Sequence, residues 1–140
     1  MSSDCVFCQI VDDRAPARIV YSDPTVIGFL DIRPVRPGHT LIIPREHHSG
    51  LADVPPQTGA AMFAAAQRVA AAMRSSALAA DGVNLVVNDG RAAFQTVFHS
   101  HLHVVPRRTG DKASLAAGFL LRRDRDPDAT AAALRAALDT

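Results

Sequence analysis

Three histidines at alternating positions, His99-Ser100-His101-Leu102-His103, carry the clearest chemical content of this 140-residue chain. In an extended strand, residues two apart point to the same face. The run from Val97 to Val105 predicts such a strand, so all three imidazoles project together. Protonating one of three adjacent rings disfavours protonating its neighbours, a cost that a face serving packing alone avoids. A solvated polar face that happens to be rich in histidine is the plain alternative. Consecutive ligands on one flat strand fit a single tetrahedral ion poorly. Nucleophilic catalysis suits the row better: a neutral central imidazole can attack an electrophile such as phosphorus while a neighbour assists the leaving group. The attacking nitrogen must be unprotonated, so the other ring nitrogen should donate to a fixed acceptor.

A second group stands near the N-terminus, where Cys5-Val-Phe-Cys8 holds both cysteines of the chain. A stable structural disulfide is not expected of an intracellular chain. A thioredoxin-like redox pair needs a strand before it, and none is expected here. Half of a structural zinc site remains, because such a site takes four ligands. The other two would come from distant histidines, and spacing does not choose among the six. Two reduced, buried cysteines are the alternative. His39, after Gly38, reads as a hydrogen-bonded structural histidine, and Arg107 with Arg108, after Pro106, as a solvated pair.

The elements that must position these groups follow from pattern. Arg18–Tyr21 and Thr25–Asp31 are β-rich runs around the turn sequence Ser22-Asp23-Pro24, which predicts a hairpin over 18–32. Pro34, Pro37 and Gly38 break the chain before a short strand, His39–Ile43, ended by Pro44. A helix is expected from Pro56 to about Leu78, with Met62, Ala66, Val69 and Met73 on one face. Val83–Val87 reads as a strand followed by the turn Asn88-Asp89-Gly90. A last helix opens at Asp126-Pro127 and carries Leu134 and Leu138 on one face. Strands in antiparallel groups with one long helix between them predict an α+β fold.

Composition bounds the rest. At 48% apolar and 21% charged residues, the chain supports one packed core, a single domain over 1–140. A net charge of +1 argues against nucleic-acid binding by phosphate neutralisation. No apolar run approaches the roughly 18 residues of a membrane span. The stretch Met1-Ser2-Ser3-Asp4-Cys5 lacks the basic and apolar segments of a secretory signal. A soluble, cytoplasmic protein is expected.

The chain resembles the histidine triad (HIT) proteins. Their signature, His-x-His-x-His followed by two apolar residues, matches His99–Val105, with Ser100 where the pattern usually has an apolar residue. Phe29-Leu-Asp-Ile32, Gly38-His-Thr-Leu-Ile-Ile-Pro44, Val87-Asn-Asp-Gly90 and Phe94-Gln-Thr-Val97 follow in family order, so the likeness spans about residues 5–107, with a differing C-terminal tail and helix over 108–140. It implies a HIT-like fold and a homodimer that binds a purine nucleotide or nucleotide derivative. It implies His101 as the nucleophile on the α-phosphorus, His103 as a contact to phosphate or leaving group, and His99 as support for the site. Gln95 and Thr96 match contacts on the phosphate and leaving-group side, and Asn88 a phosphate-side contact. Asp31 matches the ribose-binding carboxylate, with Phe29 and Ile32 lining the base pocket.

The resemblance also completes the metal site. A bacterial branch with such a cysteine pair adds the histidine of a Pro-x-x-His segment and the first triad histidine, which gives a structural zinc on Cys5, Cys8, His47 and His99. Members with glutamine in place of His103 tend to be nucleotidyltransferases, so hydrolysis is implied here. Hint-like members carry a tryptophan in a C-terminal segment, absent from this chain, and Fhit-like members typically lack the cysteine pair. The expected activity is cleavage of a nucleoside phosphoramidate or dinucleoside polyphosphate at the α-phosphate. The competing expectation is a nucleotide- and zinc-binding module with little turnover, acting through partner proteins.

Overall fold

Five strands form one antiparallel sheet, and its order decides which side chains share a face. The computed structural model describes residues 4–139; Met1, Ser2 and Ser3 of the N-terminal stretch read above, and Thr140, lie outside the described residues. The strands are β1 (Ile19–Ser22), β2 (Val26–Leu30), β3 (Thr40–Pro44), β4 (Gly82–Val87) and β5 (Leu102–Arg107), arranged β1-β2-β3-β5-β4. The helices are α1 (Val6–Val11), α2 (Pro56–Ser75), α3 (Lys112–Leu121) and α4 (Pro127–Leu138), with short 3-10 turns at Leu51–Asp53 and Arg91–Ala93. The class is α+β, as the pattern predicts.

The hairpin of β1 and β2 turns at Asp23, whose carboxylate accepts the N–H groups of Thr25 and Val26, both at 2.8 Å. Every residue of β2 and β3 is buried because both faces of the sheet are covered. On one face, Val26, Leu30, Ile42, Leu102 and Val104 pack beneath α2 and α4. The stripe Met62, Ala66, Val69 and Met73 of α2 is buried there, as its spacing predicts. Asp126 caps α4 by accepting the N–H of Ala129, which brings Leu134 into the same core. On the other face, Ile27, Phe29, Leu41 and Ile43 pack against Phe7 of α1. His103, paired with Leu41, joins that second face.

Four expectations need correction. The strand predicted over Val97–Val105 begins at Leu102. Ile42 pairs with Leu102, and the ladder to β3 stops there. Pro44 has no N–H to offer a continuing ladder, and its carbonyl is taken by the side chain of His99 at 2.8 Å. Arg107 is not a solvated residue: its guanidinium forks onto Asp111 (2.7–3.2 Å) and donates to Asn84 (2.7 Å). Arg108 is exposed, although its backbone N–H also donates to Asp111. Helix α2 ends at Ser75 rather than near Leu78, and Leu78 instead lies over Gly38. There φ is +97° and an added Cβ would meet Leu78 at 2.6 Å, so glycine is required twice over. Helices α1 and α3 have no counterpart in the pattern reading. The first is six residues long, and the second buries none of its side chains, so neither presents a readable apolar period. Among the described residues, no helix is long and apolar enough to cross a membrane.

Candidate functional site

Register places the polar groups at one end of the second face. Phe29 pairs with Leu41, and Leu41 with His103. Two residues beyond Phe29 stands Asp31, and two before Leu41 stands His39, so Asp31, His39 and His103 converge. The N–H of Asp31 donates to the carbonyl of His39 at 2.9 Å. One carboxylate oxygen of Asp31 accepts from the N–H of Arg33 at 2.9 Å, and the other lies 3.6 Å from Nε2 of His39.

Hydrogen-bond partners assign the protons on the rings. His39 is 3% exposed, and its Nδ1 accepts the N–H of Val35 at 3.2 Å. A neutral His39 therefore carries its proton on Nε2, which donates to Nδ1 of His103 at 2.9 Å. His103 in turn holds its proton on Nε2, a buried atom with no hydrogen-bond partner among the described residues. The Nδ1–H of His101 donates to the carbonyl of His99 at 2.8 Å, which leaves the Nε2 lone pair free to act. The rings of His101 and His103 lie 4.9 Å apart. Phe7 closes the floor, edge-on to His101 at 5.2 Å and to His99 at 5.8 Å.

Burial keeps these rings neutral. It lowers His39 to about 4, helped by the charge of Arg122 and by His101. His103 is lowered to about 4 by burial, with His39 and His101 adding to it and Asp31 opposing. His101 is lowered too, by burial, against the hydrogen bond to His99 and the Asp31 charge. A neutral imidazole is what a nucleophile or a single-proton donor requires.

The first triad residue turns elsewhere. The Nε2–H of His99 donates to Pro44, so its Nδ1 lone pair points to the cysteines, 3.5 Å from Sγ of Cys5 and 3.6 Å from Sγ of Cys8. Nδ1 of His47 lies 3.3 Å from Sγ of Cys8. Ligands at ordinary Zn–S and Zn–N lengths around a tetrahedral ion would stand about 3.6 Å apart. The four donor atoms lie within 4.8 Å of one another, so the residues fit a tetrahedral metal. His48, which spacing could not tell from His47, is outside the group. Asp31, His39 and His103 form a second cluster of donor atoms, but the proton on Nε2 of His39 occupies the position an ion would need, so hydrogen bonding accounts for it. That link was missing from the sequence reading of His39. The residue is hydrogen-bonded as expected, but its partner is the third triad histidine.

The remaining candidates divide. Ile32 is 81% exposed beside Asp31, whereas Phe29 is buried and stacks edge-on against Phe7 at 5.4 Å. Asn88 is half-buried and Thr96 exposed. Gln95 is buried, and its amide is fully engaged with backbone: it accepts from Gly90 at 2.8 Å and donates to Ser49 at 2.8 Å and Val97 at 3.1 Å. It braces the loop that delivers the triad.

Residues 12–110 match the HIT domain family model, and the chain belongs to that family. It is 53% identical over 134 residues to an uncharacterised HIT-like protein of Mycobacterium tuberculosis, covering 96% of this chain and 92% of that one. It is 34% identical over 119 residues to an adenosine 5'-monophosphoramidase of Saccharomyces cerevisiae (85% and 72%). Among solved structures, a zinc-bound histidine triad family protein of Mycobacterium smegmatis superimposes with a TM-score of 0.90 at 55% identity, over 97% of this chain and 94% of that one.

The proton assignment has a consequence for stability. His39 titrates near 6.5 when unfolded and near 4 when folded. As pH falls the unfolded chain takes the proton first, so stability contributed by the neutral ring is complete above pH 6.5 and declines from there toward pH 4. The slope for one proton is at most about 1.4 kcal/mol per pH unit. Urea unfolding at pH 7 and pH 5 should show a larger loss for the wild type than for His39→Gln; equal losses would contradict a buried neutral His39.

Proposed function

We propose that the protein hydrolyses a nucleotide derivative at its α-phosphorus through a nucleotidyl-histidine intermediate on His101, releasing a nucleoside monophosphate. The observation that carries this reading is the pair of matched ring protons. His101 presents a lone pair at Nε2, and on the neighbouring ring His103 presents a buried N–H that has no partner among the described residues. A lone pair and an unfilled donor side by side suit an electrophile whose own oxygens or leaving atom supply the acceptor.

In the first half-reaction, the Nε2 lone pair forms an N–P bond as the bond from phosphorus to the leaving atom breaks. The electron pair departs with that atom, where the N–H of His103 meets it. The imidazole of His101 gains positive charge, and its Nδ1–H stays bonded to the carbonyl of His99, an acceptor that favours the charged ring. The departing atom takes a proton from solvent. In the second half, water oxygen attacks the same phosphorus as the N–P bond breaks and its electron pair returns to Nε2 of His101. One proton of that water stays on the phosphate and the other returns to solvent, replacing the one the leaving group took. The net reaction consumes one water. His39 holds His103 in the donor tautomer, and Asp31 faces the same pocket as the ribose ligand, with Ile32 exposed beside it for the base. By resemblance, Asn88 and Thr96 would serve the phosphate side, and Gln95 would act through the loop it braces. The activity of the yeast relative, a phosphoramidase, supports an amine leaving group; a dinucleoside polyphosphate uses the same steps.

Cys5, Cys8, His47 and His99 would hold zinc, whose chemistry would be structural; held there, the His99 ring would steady the residue whose carbonyl orients His101. Metal analysis should find about one zinc per chain, lost in Cys5→Ser/Cys8→Ser. Equal metal content in the variant would overturn the ligand set.

We also propose that the second copy in a homodimer covers the free edge of the sheet. Strand β4 lies at that edge, and Leu85, Val86 and Val87 are 37–43% exposed along it. An apolar, unpaired edge invites pairing with another chain. Sedimentation should show a dimer that Val86→Arg dissociates; a monomeric wild type would refute the pairing.

The catalytic reading is tested with adenosine phosphoramidate and a diadenosine polyphosphate. Wild type should form an acid-labile adenylyl adduct on His101 and release AMP. In His101→Ala, AMP release should fall at least about a thousandfold, in the range for loss of an essential nucleophile, while nucleotide binding persists. Binding without adduct or release in the wild type would instead mean a nucleotide- and zinc-binding module acting through partners.

A further inference from the structure

The loop between β2 and β3 is gripped from two sides. Facing inward, the N–H of Arg33 donates to Asp31 at 2.9 Å, the N–H of Val35 donates to Nδ1 of His39 at 3.2 Å, and the carbonyl of Arg36 accepts the N–H of His39 at 3.0 Å. Facing outward, the same three residues meet α3 and its ends. The carbonyl of Arg33 accepts Nε–H of Arg122 at 2.8 Å. The carbonyl of Val35 backs onto Gly118 so closely that an added Cβ would overlap it. The guanidinium of Arg36 donates to Ser114 at 2.9 Å and lies 3.5 Å from Asp111, the N-cap residue of α3.

Helix α3 has no evident packing role of its own. None of its residues is buried, and Phe119, Leu120 and Leu121 are 58–87% exposed. It begins beyond the region matched by the family model, which ends at residue 110. Its C-cap, Arg122, sits in the left-handed region at φ +51°, where a non-glycine residue is strained by about 1 kcal/mol. The Nε bond to Arg33 is the contact that this strained backbone delivers.

We propose that α3 is the outer clamp of the 31–39 loop, with Gly118 and Arg122 as positioning residues for Asp31 and His39, and through His39 for the N–H of His103. The kinetic part of this inference rests on the hydrolase reading. Releasing the clamp lets Arg33 and Val35 drift, which loosens the acceptor bond that sets the His39 tautomer and the aim of the Asp31 carboxylate. Small displacements of this kind cost catalysis much more than binding.

Two variants have opposite effects on the fold. Gly118→Ala pushes α3 off Val35 and should lower the melting midpoint. Arg122→Gly removes the clamp while relieving the left-handed strain, so its midpoint should hold or rise. Both should reduce kcat about tenfold with KM changed less than about twofold. Both should also broaden or shift the low-field proton resonance of the His39 N–H bonded to His103, with the metal content unchanged. The clamp is refuted if Arg122→Gly leaves the resonance and kcat as in wild type, whatever Gly118→Ala does, because loss in the latter alone would follow from general destabilisation. If the wild type shows no turnover, the hydrolase reading fails by itself, and the resonance comparison still decides the clamp.

Discussion

The site depends on one backbone carbonyl, that of His99, accepting the Nδ1–H of His101 at 2.8 Å. Without that acceptor the imidazole would be free to exchange tautomers and the lone pair would have no fixed direction. The carbonyl is steady because its own residue is held twice more, by the bond from Nε2 to Pro44 and by the placement of Nδ1 against Cys5 and Cys8. A donor set shaped for metal and the side chain best placed to act as nucleophile are thus joined by two residues of backbone. The triad spacing makes this coupling short, and the early end of β5 makes it possible. Had the ladder continued past Leu102, the Pro44 carbonyl would have been available to strand pairing instead of to His99.

A second constraint is burial. Four imidazoles, His39, His99, His101 and His103, crowd the region of β3 and β5, and taking them out of water suppresses their charged forms. Neutral rings are asymmetric, with one donor and one acceptor nitrogen, so each must match its neighbours. The sequence of matches runs from the N–H of Val35 through His39 to His103 and ends on a donor with no partner among the described residues. The other ring nitrogens of this chain of bonds are matched, and the unmatched one belongs to a ring 4.9 Å from that of His101. The same burial makes the site costly to maintain in acid, since the unfolded chain has no such penalty for taking up protons.

The elements most visible in the sequence are those with strong period and strong punctuation. The apolar stripe of α2, the Asp23 turn, the Asp126-Pro127 start of α4 and the short strand ended by Pro44 lie where their patterns place them, because each depends on contacts within a few residues. Helix α1 was invisible because six residues cannot show a period, and α3 because its exposed apolar residues have no polar face to contrast with. Arg107 read as solvated because its carboxylate partner, Asp111, is positioned by a turn whose geometry no local rule supplies.

By itself, the sequence determined the inventory of the site: three imidazoles at period two, two thiols three residues apart, and the glycine and proline breaks that bring Asp31 and His39 near them. Resemblance to a family put roles to those residues. Tertiary structure alone decided how the inventory is divided. It joined His39 to His103, engaged the amide of Gln95 with backbone, and laid α3 across the loop that carries Asp31, while His99 meets the cysteines as the resemblance implied. The physical reason is that a histidine's chemistry depends on which of its two nitrogens bears the proton. That is decided by hydrogen-bond partners from segments as much as 64 residues away along the chain, brought to contact distance by sheet register.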